Sequence, residues 1–325
     1  MTIEHHRPTH EGTLKAARAV SMILRMTPLL PVEIDGVSCF VKAENLQPIG
    51  AFKIRGAWWR LSNLNRYERE AGVVAVSSGN HAQGVAWAAA KLGIAATIVM
   101  PRDAPKVKLE NTKALGAEVV LYDRAPKEEG GEDRDAVAAK LLEERGGTLV
   151  HAFGDPWVIE GQGSAGVELT QQIGYGGPSQ VIACCGGGGL AAGLALACPE
   201  AKVHVVEPQG WDMVGQAMKA GEIVHAGAEA AKTICDALQP TATKAINLEL
   251  LKGRAEPGLT VTDDEVREAQ RWAFARLQMV LEPGGAAALA AALAGKVALD
   301  ERSVIMLTGG NADPDAFAAT LLGHE

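Results

Sequence analysis

Four consecutive glycines, Gly186 to Gly189, follow the apolar run Val181-Ile182-Ala183-Cys184-Cys185 and precede the Ala- and Leu-rich stretch Leu190 to Ala197. A strand, a length of bare backbone and a helix in that order make an anion cup. Successive N–H groups can turn inward free of Cβ clashes, and the helix end adds partial positive charge. A glycine run also serves a tight turn, so alone it leaves both uses open. Lys53 stands in the segment Glu44-Asn45-Leu46-Gln47-Pro48-Ile49-Gly50-Ala51-Phe52-Lys53-Ile54-Arg55-Gly56-Ala57. Most lysines are solvated surface charges, and one at the head of a helix opposes the macrodipole. Imine formation with an aldehyde cofactor would explain its place, because that nitrogen is held rather than solvated. Ser77-Ser78-Gly79-Asn80-His81 brings hydroxyls, amides and a carboxamide that can hold a carboxylate and a phenolic oxygen. A plain helix N-cap uses the same residue types.

The surrounding pattern places these groups. Val73 to Val76 reads as a strand, Gln83 to Leu92 as a helix, Ala96 to Met100 as a strand, and Lys106 to Leu115 as a helix closed by Gly116. Glu118 to Leu121 (strand), Ala136 to Glu144 (helix) and Thr148 to Val150 (strand) continue the series, with Ala125 to Arg134 a charged loop. A second series follows Pro156: a helix from Ile159 to Ile173, strands at Val181, Val203 and Ser303 to Leu307, and an alanine-rich helix from Ala286 to Ala294. Thr262-Asp263-Asp264-Glu265 is a capping box that opens a helix reaching Leu277, a structural motif only. Such alternation predicts an α/β fold, with parallel sheets flanked by helices. Ser77 to His81 then lies at the carboxyl end of a strand, where open α/β sheets bind ligands.

Composition narrows the function class. At 325 residues the chain exceeds one core, so two lobes are expected. Hydrophobic residues at 47% with 22% charged exclude a disordered chain. A net charge of −8 argues against nucleic acid or an anionic membrane as partner. No apolar stretch is long enough to span a bilayer. Met1 to Gly12 has three histidines and no apolar core, unlike a secretory signal. Five cysteines without framework spacing fit reduced thiols, hence a cytoplasmic location, and Cys184-Cys185 reads as small apolar packing. His5, His6 and His10 read as solvated, and the short stretch after Asn311 leaves no room expected for a regulatory domain.

The glycine run, Phe52-Lys53, Ser77 to His81 and Leu307-Thr308-Gly309-Gly310-Asn311, in this order, resemble fold-type II pyridoxal-phosphate enzymes. Among these the chain is most similar to the threonine/serine dehydratases and serine racemases, from Thr27-Pro28-Leu29 to Asn311. The resemblance implies a two-lobed, tryptophan synthase β-like fold: 1–72 with 151–325 as a large cofactor-binding domain, and 73–150 as a small inserted one. It implies pyridoxal 5'-phosphate joined to Lys53, with its phosphate on Gly186, Gly187, Gly188 and Gly189. Asn80 would contact the ring 3-oxygen, Phe52 would flank the ring and Thr308 would meet its nitrogen. Ser77, Gly79, Asn80 and His81 would line the substrate carboxylate site, with Ser78 on the cofactor face opposite Lys53. A homodimer acting on a small amino acid is implied, the reaction being loss of water and ammonia from a 3-hydroxy L-amino acid to give a 2-oxo acid. Arg55 reads as a structural residue of the family, and Glu282-Pro283-Gly284-Gly285 matches a family segment near the cofactor.

The chain departs from the family at Ala51, where serine is usual, and at Ala152-Phe153, where proline and a more polar residue are frequent. Glu207 could join a divalent cation with Asp212, yet Trp211 and Met213 offer no oxygen, so no metal is expected and Glu207 reads as a surface carboxylate. Phe153 and Trp211 point to an apolar pocket, and so to threonine or an aryl substrate, as in a phenylserine dehydratase. The competing readings are a serine racemase, a 3-hydroxyaspartate dehydratase, a β-replacement synthase, an inactive ligand-binding relative and a dinucleotide-dependent dehydrogenase. The last lacks an acidic residue at ribose spacing.

Overall fold

A computed structural model describes residues 6–104, 106–123, 131–227 and 231–323. The chain builds two sheets. The larger begins with an antiparallel hairpin, β1 (Leu29–Ile34) and β2 (Val37–Ala43), closed by Asp35-Gly36. Both turn residues have left-handed φ, 50° and 78°, as a two-residue primed turn requires. From β2 the sheet runs parallel through β10 (Ser303–Leu307), β7 (Gln180–Cys184), β8 (Lys202–Pro208) and β9 (Ala255–Val261). The smaller sheet is wholly parallel, in the order β5 (Glu118–Tyr122), β4 (Ala96–Pro101), β3 (Val73–Val76), β6 (Thr148–Leu149).

The central strands β7 and β10 are buried at every residue, so they read as unbroken apolar runs rather than alternating ones. Their alternate residues feed two different cores. Ile182, Cys184, Ile305 and Leu307 pack with Ala286 to Ala292 of α12 (Pro283–Leu293) and with α11 (Asp263–Leu277). Val181, Ala183, Val304 and Met306 face α8 (Gly189–Ala197) and α7 (Pro156–Ile173). Around the smaller sheet, α4 (Asn80–Leu92) and α2 (Lys53–Ser62) share a third core with Ala75 and Ile98. α5 (Lys106–Ala114) and α6 (Arg134–Arg145) also serve that sheet. α1 (His10–Ser21), α3 (Arg66–Ala71), α9 (Met213–Ala220), α10 (Ala245–Leu251) and α13 (Pro314–Leu322) complete the described helices.

A buried ionic knot ties α2 to its surroundings. Arg55, fully buried, donates Nε and Nη2 to Glu44 (2.6 and 2.7 Å) and Nη1 and Nη2 to Glu168 of α7 (both 2.8 Å). Lys42 of β2 adds its Nζ to Glu168 at 2.7 Å. Burial alone would raise the Glu44 carboxyl, but the Arg55 guanidinium holds it below the usual range. Arg55 is thus a structural residue whose fork fixes the helix that starts at Lys53.

The structure corrects several expectations. The N-terminal segment is no solvated tail: α1 starts at His10, whose Nδ1 bonds Leu196 O at 2.8 Å. His6 stacks on Trp157 (4.2 Å between ring centroids) with its Nε2 3.0 Å from Glu160; His5 lies outside the described residues. The 125–134 loop lies largely outside them too, and Arg134 already opens α6. β9 escapes a pattern search because Pro257 and Gly258 interrupt it. All five cysteines are free and buried, and burial pushes Cys39, Cys184 and Cys198 up to about 11 and Cys235 to about 12. Among the described residues no helix is long and apolar enough to cross a membrane.

Helices α7 and α8 touch through bare backbone. A Cβ on Gly193 would lie 2.4 Å from Ile159 O and 2.6 Å from Gly163 N. Gly193→Ala must therefore push two helices apart, and chemical denaturation should show a loss of about 1–3 kcal/mol or more; unchanged stability would contradict the contact.

Candidate active site

Lys53 is the first residue of α2, and the chain before it is stitched to the end of β10: Phe52 N donates to Thr308 O (3.1 Å) and Ala51 bridges Gly309. Lys53 is half-buried. Its Nζ donates to Ala152 O at 2.9 Å and lies 5.1 Å from the Phe52 ring centroid. Burial pulls its pKa down to about 8, against the opposing pull of Cys184, Cys185 and Glu282. A half-buried amine held by one carbonyl, with no carboxylate bonded to it and its pKa lowered, is poised to act as a nucleophile near neutral pH.

The glycine run leaves β7 and enters α8, with Gly188 as N-cap at φ 95°, a conformation that favours glycine. A Cβ on Gly187 would fall 2.3 Å from the Phe153 ring, and one on Gly189 2.9 Å from Phe153 backbone atoms. Bare backbone at a helix N-terminus is what a phosphate needs, so the run fits the phosphate end of pyridoxal phosphate. The turn carrying Phe153 also carries Ala152, whose oxygen holds Lys53. That turn therefore joins the amine to the glycines.

On the smaller sheet, Ser77 to Gly79 form the turn after β3, and α4 starts at Asn80 rather than Gln83. The helix N-cap is Gly79, with no side-chain cap, and Ser77 Oγ instead accepts Gly79 N at 3.1 Å. The simple-cap reading of Ser and Asn therefore fails here. A Cβ on Gly79 would meet nothing within 4 Å, which leaves open space above the turn. Ser78 is half-buried, and its hydroxyl makes no hydrogen bond among the described residues. Asn80 donates Nδ2 to Glu282 Oε1 and accepts from Asn311 Nδ2 at 2.8 Å. α4 also abuts the lysine: a Cβ on Gly84 would lie 3.2 Å from Lys53 backbone atoms.

His81 is buried and within 2.8 Å of Val150 O through Nε2, while its Nδ1 has no partner among the described residues. Burial, then the Lys53 charge, drives its pKa down to about 3, so the ring is neutral. If Nε2 carries the proton donated to Val150, Nδ1 can only accept, and the N–H groups of α4's first turn are the better donors to a carboxylate. Thr308 is buried with Oγ1 2.9 Å from Cys184 Sγ, so Cys184 borders the site rather than simply filling the core.

Some neighbours were not legible beforehand. His151 follows β6, and its Nδ1 accepts Phe153 N (3.3 Å) and Gly154 N (3.0 Å); burial lowers it to about 4. Its place at a strand's carboxyl end was the available signal. Glu282, whose segment was expected near the cofactor, is buried and bonded to Asn80, and is raised to about 7 by burial and then by Asp236. Asn247 of α10 contacts both the glycine run and Phe153, with no sequence signal. Lys108 of α5 pairs with Asp236, linking the two sheets' surroundings.

The expected surface position of Glu207 is wrong. It is fully buried, and its oxygens accept Val214 N (2.9 Å) and Gly215 N (2.8 Å). Burial lifts it to about 8 even though both N–H groups favour its charged form. Asp212 is half-buried at the α9 N-cap without a side-chain cap bond. Trp211 gives its Nε1–H to Ala231 O at 2.7 Å and has no described contact with the glycine run, so the apolar-pocket argument rests on Phe153.

Comparison with known proteins identifies the family. The family model described as "Pyridoxal-phosphate dependent enzyme" matches residues 20–309. Serine racemase of Schizosaccharomyces pombe is 37% identical, covering 96% of each chain. L-threo-3-hydroxyaspartate ammonia-lyase of a Pseudomonas species is 38% identical over 97% of this chain and 99% of its own. Among solved structures, maize serine racemase superposes with a TM-score of 0.88 at 30% identity, covering 98% of each chain.

The neutral His81 makes stability depend on pH. Its folded pKa lies below the unfolded value of ~6.5, so its contribution is present above that pH and lost as pH falls toward about 3. Between pH 7 and pH 5 the wild type should lose about 2 kcal/mol more than His81→Gln, measured by urea unfolding. Parallel profiles would show that the ring is not held neutral.

Proposed function

This chain belongs to the pyridoxal-phosphate dependent enzymes, and we propose that it removes water and ammonia from a 3-hydroxy L-amino acid with an apolar side chain, such as threonine or 3-phenylserine. The observation that carries the reading is Lys53: an amine lowered to about 8 and hydrogen-bonded to the turn that also borders the glycine run. The two sheets are proposed as the cores of the two lobes divided at 73 and 150. A twofold homodimer is part of the same proposal.

Lys53 and Gly186 to Gly189 would hold the cofactor, with Asn80 and Thr308 at its ring and Phe52 beside it. Bound there, pyridoxal phosphate supplies the electron sink that acidifies the Cα–H of the attached amino acid. Ser77, Gly79 and the first-turn N–H groups of α4 bind the substrate carboxylate, His81 contributing its backbone. The Lys53 amine, when free, takes the Cα proton at Nζ, since a pKa near 8 leaves part of it neutral at pH 7. Thr308 would offer the ring nitrogen a hydroxyl in place of a carboxylate, which would disfavour long-lived negative charge and favour prompt loss of the β-hydroxyl. Ser78 would place a second proton-transfer group on the other face, which racemisation needs, so D-amino acid formation is a compatible side reaction.

Phe153 over the glycines supports an apolar substrate side chain. One observation favours 3-hydroxyaspartate instead: exposed Lys244 lies with its stem against Gly154, and its charge acts on His151. A cation there could meet a second carboxylate. Comparison of kcat/KM for threonine, 3-phenylserine and 3-hydroxyaspartate should give at least about a tenfold preference for an apolar substrate. The reverse order would transfer the assignment to the dicarboxylate, with Lys244→Ala then raising its KM.

Lys53→Ala should lower turnover about a thousandfold or more. Borohydride reduction of the holoenzyme followed by peptide mapping should place the adduct on Lys53. An adduct on another residue would overturn the assignment.

A further inference from the structure

We propose that Asn247 is a positioning residue that sets the phosphate end and the amine end of the cofactor site relative to each other. Its carboxamide is fully buried on α10, and its single NH2 group reaches both ends. Nδ2 donates to Gly187 O at 2.7 Å and to Phe153 O at 2.9 Å. Thr243 Oγ1 gives Gly187 O a second donor at 2.9 Å.

The effect on the glycines follows from peptide geometry. In a trans peptide the C=O of one residue and the N–H of the next point in opposite directions. Two donors hold Gly187 O toward Asn247 and Thr243, so the Gly188 N–H is turned the other way. Gly188 completes the turn with its left-handed φ of 95°, and a Cβ there would sit 3.3 Å from Asn247 Cβ. The Gly187–Gly188 peptide plane within the glycine run, with the Gly188 N–H beside the Cys185 sulfur, is thus preset before any anion arrives, which lowers the cost of binding.

The second bond reaches the amine. Phe153 O belongs to the turn whose preceding carbonyl, Ala152 O, accepts Lys53 Nζ at 2.9 Å. Asn247 Oδ1 is buried and unpartnered among the described residues. A buried amide that leaves its acceptor unused but commits its donor twice is there for the donor. Glutamate, aspartate or an aliphatic residue of similar size could not make either bond.

This inference rests on Lys53 and the glycine run being the cofactor's anchors. The test uses the full-length protein, with apoenzyme titrated with pyridoxal phosphate by absorbance and the holoenzyme examined by 31P NMR. Asn247→Ala should weaken cofactor binding about tenfold or more and shift the phosphorus resonance, while apoenzyme melting changes far less than holoenzyme melting. Thr243→Val, which keeps the shape and removes one donor, should weaken binding less and shift the resonance in the same direction; it decides the matter if Asn247→Ala does not fold. Asn247→Asp turns a carboxylate on two carbonyls and should not rescue. Wild-type affinity with an unmoved resonance in the folded variants would overturn the proposal, as would equal destabilisation of apo and holo forms. Borohydride mapping keeps the two readings apart. An adduct on Lys53 with unaffected variants defeats only the role of Asn247, whereas an adduct elsewhere defeats the cofactor assignment itself.

Discussion

The site depends on a fully buried guanidinium. Arg55 is surrounded by Glu44, at the end of β2, and Glu168, within α7, so three separate pieces of chain meet at one planar fork. Hydrogen bonds from such a fork are directional, and each carboxylate has the guanidinium as a partner that water cannot replace at that depth. Two residues before it, Lys53 inherits this rigidity. A lysine side chain is long and flexible, and it becomes a defined reagent only because the backbone at its base cannot shift.

Around that anchor burial shifts several titratable groups. Lys53 and His81 are both pushed toward neutral forms by burial, while Glu282 is pushed toward its protonated form. The Lys53 charge acts on both of the others, and near pH 7 the His81 ring is neutral while Lys53 and Glu282 stand close to their midpoints. A phosphate at the glycine run and a substrate carboxylate at α4, as proposed, would not first have to displace tightly paired ions. Transfer of a proton between neighbours then involves little change of solvation.

How far this was legible in the sequence follows from how local each requirement is. Gly186 to Gly189, Lys53 and Ser77 to His81 could be singled out because the phosphate, imine and carboxylate sites proposed for them each need several suitable groups within a few consecutive residues. The parallel strands could be read because burial on both faces leaves continuous apolar runs. The hairpin of β1 and β2 carries a usable signal, Asp35-Gly36 between alternating residues, that strand–helix alternation does not include. Other features have no local signature. Asn247 bonds residues 60 and 94 positions away, and the segment of Glu282 is recognisable whereas its partner, 202 positions away, is not. Glu207 reads as a surface carboxylate because nothing nearby in sequence reveals that the N–H groups of α9 enclose it. Size alone assigns Trp211 to the pocket, whereas its actual partner is a carbonyl of a loop.

The five thiols have a consequence of their own. Each is enclosed, and those on β2, β7, after α8 and before Asp236 ionise only well above neutral pH. An alkylating reagent attacks the thiolate and must reach it, so the intact molecule resists modification on both counts. Labelling can proceed only when some part of the structure opens, and the five positions sample both faces of the larger sheet. Mass spectrometry of the labelled chain would therefore read out, cysteine by cysteine, which regions breathe first and whether a filled coenzyme site keeps them shut.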